Sequence, residues 1–242
     1  MLLLLASLAR AEEPVEAAFP SSPPTSIDDA ETVERGHVEV NLTAGFAGRA
    51  GAWESETPLI DGNLGVSDNI HINAEIPLVF GVREDGFGLG LGHAAVASKI
   101  RFVHTDRVQA AIHPAIDLPS MPWGAWEPDS PLSLTLPAVV DVALGQGGLG
   151  LGVQLAHTWA PVSGEHSWSG DLGLAHPLGQ DGTGMLNLAL EAAGDLSSGE
   201  GWLELGYVRE SLFGVEGLSL LSSAGVSNGG ELEALLGVQV AR

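Results

Sequence analysis

The chain has 242 residues, with 9 Lys+Arg against 31 Asp+Glu and a formal net charge of −22. A surface that acidic repels nucleic acid, so DNA and RNA are excluded as partners. There are no cysteines, which removes disulfides and thiolate-bound metals.

Residues 1–11 (MLLLLASLARA) read as a signal peptide, with an apolar core from Leu2 and a small-x-small cleavage pattern at Ala9-Arg10-Ala11. The basic n-region of such a signal is missing, so the true start is expected upstream. Residues 12–33 are acidic and Pro-rich and are expected to form a flexible periplasmic lead-in. From about Val33 to the end, apolar side chains fall on every second position. Residues 231–242 show it cleanly: Leu232, Ala234, Leu236, Val238 and Val240 lie on one face, and Glu231, Glu233, Gly237 and Gln239 on the other. Period two means β-strand. No segment has a convincing helical period, and no later stretch approaches 18 consecutive apolar residues.

Twelve strands are expected, over 35–48, 54–66, 69–82, 87–104, 107–119, 130–144, 148–162, 166–180, 184–197, 201–213, 216–227 and 230–242. Connections after the even strands are short and built on Gly, Asn and Asp, which supply the positive φ of tight hairpins. Connections after the odd strands tend to be longer, notably 120–129. Short periplasmic turns opposite longer outer loops are the habit of outer-membrane barrels. Trp53, Trp123, Trp126, Trp159, Trp168 and Trp202 all fall at or beside the odd connections, as do Phe46, Phe80 and Phe87. Such placement suits an aromatic girdle at the outer membrane–water interface. The expectation is an all-β protein: a single closed, antiparallel, up-and-down transmembrane β-barrel over residues 34–242, exported to a bacterial outer membrane.

The segments VERGHVEVNLTAGFAG and ETPLIDGNLGVSDNIHINAEIPLV, within residues 33–79, carry a family resemblance. So do Lys99-Ile100-Arg101-Phe102, the stretch AAIHPAIDLPS (110–120) and LLGVQV near the end. In their order and spacing they resemble the outer-membrane barrel family named for the meta-pathway of phenol degradation, also described as transporters. The resemblance covers nearly all of 33–242. It implies an outer-membrane barrel, with outer-membrane lipid and the barrel-assembly machinery as partners. One departure is the end, Val240-Ala241-Arg242, where such barrels usually finish in an aromatic residue; a truncated end or an atypical assembly signal is the expectation there.

If the apolar face meets lipid, the other positions face the lumen. They are His37, Glu39 and Asn41; Asp61 and Asn63; His71, Asn73 and Glu75; Lys99 and Arg101; Gln109, His113 and Asp117; then Asp141, Gln154, Asp171, Asn187, Glu191, Glu204, Glu231, Glu233 and Gln239. In one reading these groups line an aqueous path that favours cations or neutral polar solutes. In the other they form a paired plug that holds a narrow barrel together, with Lys99 and Arg101 bound to Glu39, Glu75 or Asp117. Twelve strands lie between filled eight-strand barrels and open sixteen-strand ones.

The functional expectation is passage of small solutes, with aromatic or other hydrophobic compounds among the candidates. The alternative is a closed structural barrel or a surface binding module. A soluble β-sandwich would have to explain leucine-rich faces on every strand. A lipid hydrolase would need a Ser–His pair, and the nearest candidates are His157 with Ser163 and His166 with Ser167 or Ser169. Neighbouring residues point to opposite faces of a strand, which weakens that reading. The strings GFGLGLG and GQGGLGLG open no helix, so they are strand glycines and not phosphate cradles. No cofactor and no metal site is expected; His71 with His113 is the remote exception.

Overall fold

The computed structural model describes residues 28–49, 52–83, 86–119, 121–123, 132–144, 148–178, 184–192 and 201–242. The signal segment and most of the lead-in lie outside them. Alternation produces strands throughout: β1 (Val38–Arg49), β2 (Ala52–Ser67), β3 (Ile70–Arg83), β4 (Gly86–Leu91), β5 (Ala95–His104), β6 (Val108–Ile112), β7 (Ala115–Asp117), β8 (Met121–Trp123), β9 (Ser133–Leu144), β10 (Leu149–Ala160), β11 (Glu165–Leu178), β12 (Gly184–Ala192), β13 (Trp202–Arg209), β14 (Leu218–Ser227) and β15 (Leu232–Ala241). A 3-10 turn, Leu212–Gly214, lies between β13 and β14.

The fifteen strands make twelve crossings. A break at residues 92–94 divides the fourth crossing into β4 and β5. A break at His113 and Pro114 divides the fifth into β6 and β7, because a proline nitrogen cannot donate to a ladder. The short β8 pairs with β4 at the outer rim. All the expected strands are present, with ends shifted by a few residues.

Every pairing is antiparallel, and the pairings close on themselves. β1 pairs β2, β2 pairs β3, and β3 pairs both β4 and β5. β5 pairs β6 and β7, which in turn pair β9. The meander then runs β9 to β15 in sequence order. Finally β15 pairs β1, with Glu39 opposite Ala241 and Gly48 opposite Leu232. The seam is sealed by Val38 N–H donating to the Arg242 carbonyl at 2.6 Å and by the reverse bond at 2.8 Å. Along these pairings the ring is continuous, which removes the free edges of an open sheet; among the described residues the rim strand β8 pairs with β4 alone.

The two faces are inverted relative to a water-soluble protein. Leu42, Ile76, Leu155, Leu205 and Leu236 point out and are exposed, while Glu39, Asn63, His71, Lys99, Asp141 and Glu204 point in and are buried. That inversion is the signature of a transmembrane β-barrel. Among the described residues the cluster of buried apolar side chains is small: Ala30, Ala111 and Val139. Ala30 belongs to the stretch expected to be a free lead-in. Residues 28–33 instead lie inside the lumen, with Asp29 and Ala30 fully buried and Thr32 nearly so.

Candidate functional site

The site is the lumen and the segment that crosses it. Lys99 sits at mid-strand on β5, opposite His71 of β3, and its side chain points inward at 2% exposure. An ammonium held there needs anionic partners. They come from the segment ahead of the barrel. Lys99 Nζ donates to Asp28 Oδ1 at 2.8 Å and to Asp29 Oδ1 at 3.2 Å. Neither Glu39, Glu75 nor Asp117 pairs with Lys99 in the bonds described, contrary to expectation. Arg101 is also redirected. Its Nη2 donates to the Asp68 carbonyl at 2.6 Å, its Nη1 to Gln109 Oε1 at 3.3 Å and its Nε to Asn69 Oδ1 at 3.4 Å. It clamps the β2–β3 turn and leaves the carboxylates of the wall alone.

Further bonds fasten the segment to four more crossings and to the β2–β3 turn. Asp28 Oδ2 lies 2.8 Å from His113 Nδ1, and Asp28 N–H donates to Gln154 Oε1 at 3.2 Å. Ala30 N–H donates to Asp141 Oδ2 at 2.6 Å. Thr32 Oγ1 donates to the Asp68 carbonyl at 2.9 Å, and Val33 N–H to His71 Nδ1 at 3.1 Å, which leaves that ring's proton on Nε2. Burial pushes the Asp28 carboxyl up, but Lys99 and His113 outweigh it and hold the carboxylate well below its ordinary range. Burial pushes the Asp29 carboxyl up, and the carboxylates of Asp28, Glu31 and Asp141 add to the rise against the pull of Lys99. Asp28 therefore carries the negative charge that answers Lys99.

Gly65 on β2 makes room for this path. A Cβ built there would stand 1.8 Å from the Glu34 carbonyl oxygen and 2.7 Å from that of Val33. The segment crosses the wall of β2 in direct backbone contact, and only glycine permits it.

On β1, β2 and β3 the lumen wall is a ladder of amides and carboxylates. Asn41 Nδ2 donates to Asp61 Oδ2 at 2.8 Å and to Glu39 Oε1 at 3.4 Å. Asn63 Nδ2 donates to Asp61 at 3.2 Å and to Glu39 at 3.3 Å. Asn73 Nδ2 donates to Asp61 Oδ1 and, at 3.1 Å, to Asn63 Oδ1. Glu75 lies beside Asp61 in register. Elsewhere Asp117 accepts from Ser133 and Thr135 at 2.8 and 2.9 Å, and Asp171 from Gln154 at 2.8 Å. Glu204 and Glu233 converge over Gly225, where a Cβ would stand 2.5 Å from one carboxylate oxygen.

Most of the expected lumen residues do face inward. His37 is an exception, exposed at the rim and 3.6 Å from Glu34. The position of Glu191 is opposite Asp171, but its side chain and that of Asn187 lie outside the described residues. Among the described residues no group of three or more His, Asp and Glu side chains is placed to hold a metal ion; His71 and His113 meet edge to face with ring centres 6.0 Å apart.

At the outer end Trp53 stacks on Phe46 at 5.5 Å and meets Phe80 at 6.0 Å, on the outside of the wall. Trp159 and Trp168 also point out. Trp202 does not: it shares the lumen-side parity of buried Glu204, so it departs from the expected girdle. The side chain of Trp123 and the whole of Trp126 lie outside the described residues. His157 and His166 are outward too. Their hydrogen bond is to each other, while Ser163 donates to Glu165 and Ser167 and Ser169 take the opposite parity. No Ser–His pair forms there.

Asp28 and Asp29 are the lumen residues that strand periodicity does not reveal. The available signal was the acidic run Asp28-Asp29 directly ahead of the first strand, in a chain whose lumen held two strand-borne cations.

No family model and no curated protein matches the chain. Solved structures do. An outer-membrane channel from Pseudomonas putida F1 is 10% identical, with a TM-score of 0.67 over 90% of this chain and 100% of that one. The KdgM porin, solved in complex with disordered oligogalacturonate, is 6% identical, with a TM-score of 0.59 over 84% of this chain and 98% of that one. The translocator domain of the autotransporter NalP from Neisseria meningitidis is 12% identical, with a TM-score of 0.54 over 85% of this chain and 88% of that one. At such identities the likeness is one of fold: the chain has the antiparallel barrel architecture of outer-membrane channels.

Proposed function

We propose that the chain is an outer-membrane channel for small solutes whose lumen favours cations and neutral polar molecules. The order and spacing of the motifs in 33–242 support a place in the phenol-degradation-named family. The observation that carries the selectivity is the charge of the wall. Glu39, Asp61, Glu75, Asp117, Asp141, Asp171, Glu204 and Glu233 face the lumen, against the two cations Lys99 and Arg101. Lys99 is already answered by Asp28, and Arg101 is held against the β2–β3 turn. What a solute meets is an excess of carboxylates, which raises the local cation concentration and repels anions. The amide–carboxylate ladder offers hydrogen bonds to a polar solute and little to an aromatic one. Aromatic compounds are therefore the weaker candidates.

The contacts of residues 28–33 support a second feature: the resting lumen is narrowed at its periplasmic end, and a closed state is the alternative reading. Single-channel recording in planar bilayers tests both. The expected result is small-conductance events with a reversal potential of cation-selective sign in a KCl gradient. Anion selectivity would overturn the electrostatic reading. A folded barrel with no conductance, in the wild type and with the segment displaced, would leave the closed structural barrel.

A further inference from the structure

The outside of the wall is not uniformly convex. Where the fifth crossing breaks at His113 and Pro114, an outward-facing groove of about 760 Å3 runs along the barrel. The ladder stays sealed behind it, through His113 N–H to the Pro137 carbonyl at 3.0 Å and Ser98 N–H to the Pro114 carbonyl at 3.1 Å. The groove is therefore not a hole into the lumen. Its small residues, Ser98 and Pro114, lie between ridges that include Ile72, Val96, Ile116 and Leu136. At the outer end it finishes at Trp159, His157 and His166.

These two imidazoles are out of place on an apolar wall. His157 Nε2 lies 3.2 Å from His166 Nδ1, their rings stack at 5.3 Å, and Trp168 packs on His157 at 4.6 Å. The neighbouring turn after Ala160 puts them at the depth where headgroups lie. The chain has 31 acidic residues, yet the outward positions of β9, β10 and β11 are Leu, Val, Ala, Gly and Trp apart from His157, His166 and His176. That face alternates with Asp141 and Asp171 pointing the other way. The groove is thus apolar along its length, free of carboxylates, and closed at its headgroup end by the imidazole pair.

We propose that this groove is a lipid site: it holds an acyl chain of a lipid bearing an exposed phosphate, and the hydrogen-bonded His157–His166 pair donates its free N–H to a phosphate oxygen. The free N–H and the absence of outward carboxylates select the occupant. A phosphate meets an imidazole donor without a facing carboxylate, Trp159 and Trp168 suit the interface, and the apolar groove suits a chain that the surrounding bilayer supplies. The proposal rests on the reading of the chain as a membrane barrel.

The test is native mass spectrometry of the full barrel in detergent, titrated with dioleoyl phosphatidic acid and, separately, with dioleoylglycerol, which has the same chains and no phosphate. The expected result is retention of phosphatidic acid about tenfold or more above dioleoylglycerol, the difference expected of hydrogen bonds to a charged group. The His157→Ala/His166→Ala double variant should lose that preference, and Val96→Trp, which fills the groove, should lose retention of both lipids. Equal retention of the two lipids by the wild type, or wild-type retention by both variants, overturns the proposal. So does a dimer that Val96→Trp dissolves, since the groove would then be an interface between copies. Heat-modifiable gel mobility shows that each variant is folded. Recovery of the chain in the soluble fraction would sink the membrane reading itself, whereas a membrane-embedded barrel that retains neither lipid sinks only the lipid site.

Discussion

Replacing Lys99 with Met keeps the side chain's length and removes its charge. Asp28 and Asp29 then sit in the lumen without their cation, Asp29 wholly buried and Asp28 about a quarter exposed. Breaking a buried pair by removing one partner costs about 3–5 kcal/mol. The exposure of Asp28 argues for the lower end, about 3 kcal/mol, once solvent screening is allowed for. The segment's other described tethers, to His113, Gln154, Asp141, Asp68 and His71, are hydrogen bonds worth about 0.5–1.5 kcal/mol each. Loss of the ion pair therefore rivals the rest of the attachment. At about 1.4 kcal/mol per tenfold, the docked population should fall about a hundredfold relative to the undocked one. Two assays read this. Single-channel conductance should rise, and residues 28–34 should become cleavable by a protease added from the side of the termini. The double neutralisation Asp28→Asn/Asp29→Asn on top of Lys99→Met should restore part of the docking, because no buried charge is then left unpaired. If Lys99→Met gives a folded, heat-modifiable barrel with unchanged conductance and an uncleaved segment, the ion pair does not hold the segment and the reasoning is wrong.

Gly65→Leu should displace the same segment without touching a charge, since even a Cβ would overlap the Glu34 carbonyl. Conductance should rise as for Lys99→Met, while Gly45→Ala, whose nearest atoms lie 3.9 Å away, should leave it at the wild-type level. Glu204→Gln with Glu233→Gln removes two inward charges. A charge within ~4–8 Å of the ion path in a wet lumen is worth about 0.5–1 kcal/mol, so the cation-to-anion permeability ratio from reversal potentials should drop about two- to fivefold per charge. An unchanged ratio would place the ion path elsewhere. Asn63→Ala strips donors from Glu39 and Asp61 and an acceptor from Asn73. The midpoint of the heat-modifiable gel transition should fall, with a cost of about 1–3 kcal/mol; no fall would show the ladder to be dispensable.

The wall was legible in the sequence because its information is local. Period two assigns each residue to a face, and Leu236 out with Gln239 in follows from counting along ELEALLGVQV. Glycine-rich turns gave the hairpins, and an even number of crossings returned the chain to the side where Val38 meets Arg242. The lumen's pairings were not local. Lys99 could be aimed inward by parity, but Asp28 and Asp29 precede it by about seventy residues and lie on no strand, so no periodicity ranks them. Arg101 shows the same limit in reverse: parity aimed it at the wall carboxylates, and the nearby turn carbonyl of Asp68 captured it first. Trp202 departs from the girdle because closeness to a loop does not fix the face of a strand, and parity puts it with Glu204.

The segment and the acidity of the lumen are parts of one arrangement. A single buried ammonium among inward carboxylates could bind any of several wall residues. Were it to bind Glu75 across the β3–β5 ladder, the wall would hold its own cation and nothing would draw in the chain ahead of β1. His71 occupies the register position opposite Lys99 instead, and a neutral imidazole leaves the ammonium unanswered. Glu75 falls opposite Ala95, at the far end of that ladder. The wall thus presents one unsatisfied charge to the lumen, and the Asp28 carboxylate reaches it with Asp29 beside it. Docking then cancels the cation and leaves an acidic excess on the wall, which is what a solute would meet in the proposed channel. A cation entering this lumen meets carboxylates first, and it competes with Lys99 for Asp28 at the narrow end. Solute and segment are therefore coupled: a divalent cation should loosen the segment at concentrations that leave an isosmotic neutral sugar without effect, and protease cleavage of residues 28–34 with and without MgCl2 measures it. Equal cleavage in the two would separate the charge of the lumen from the position of the segment.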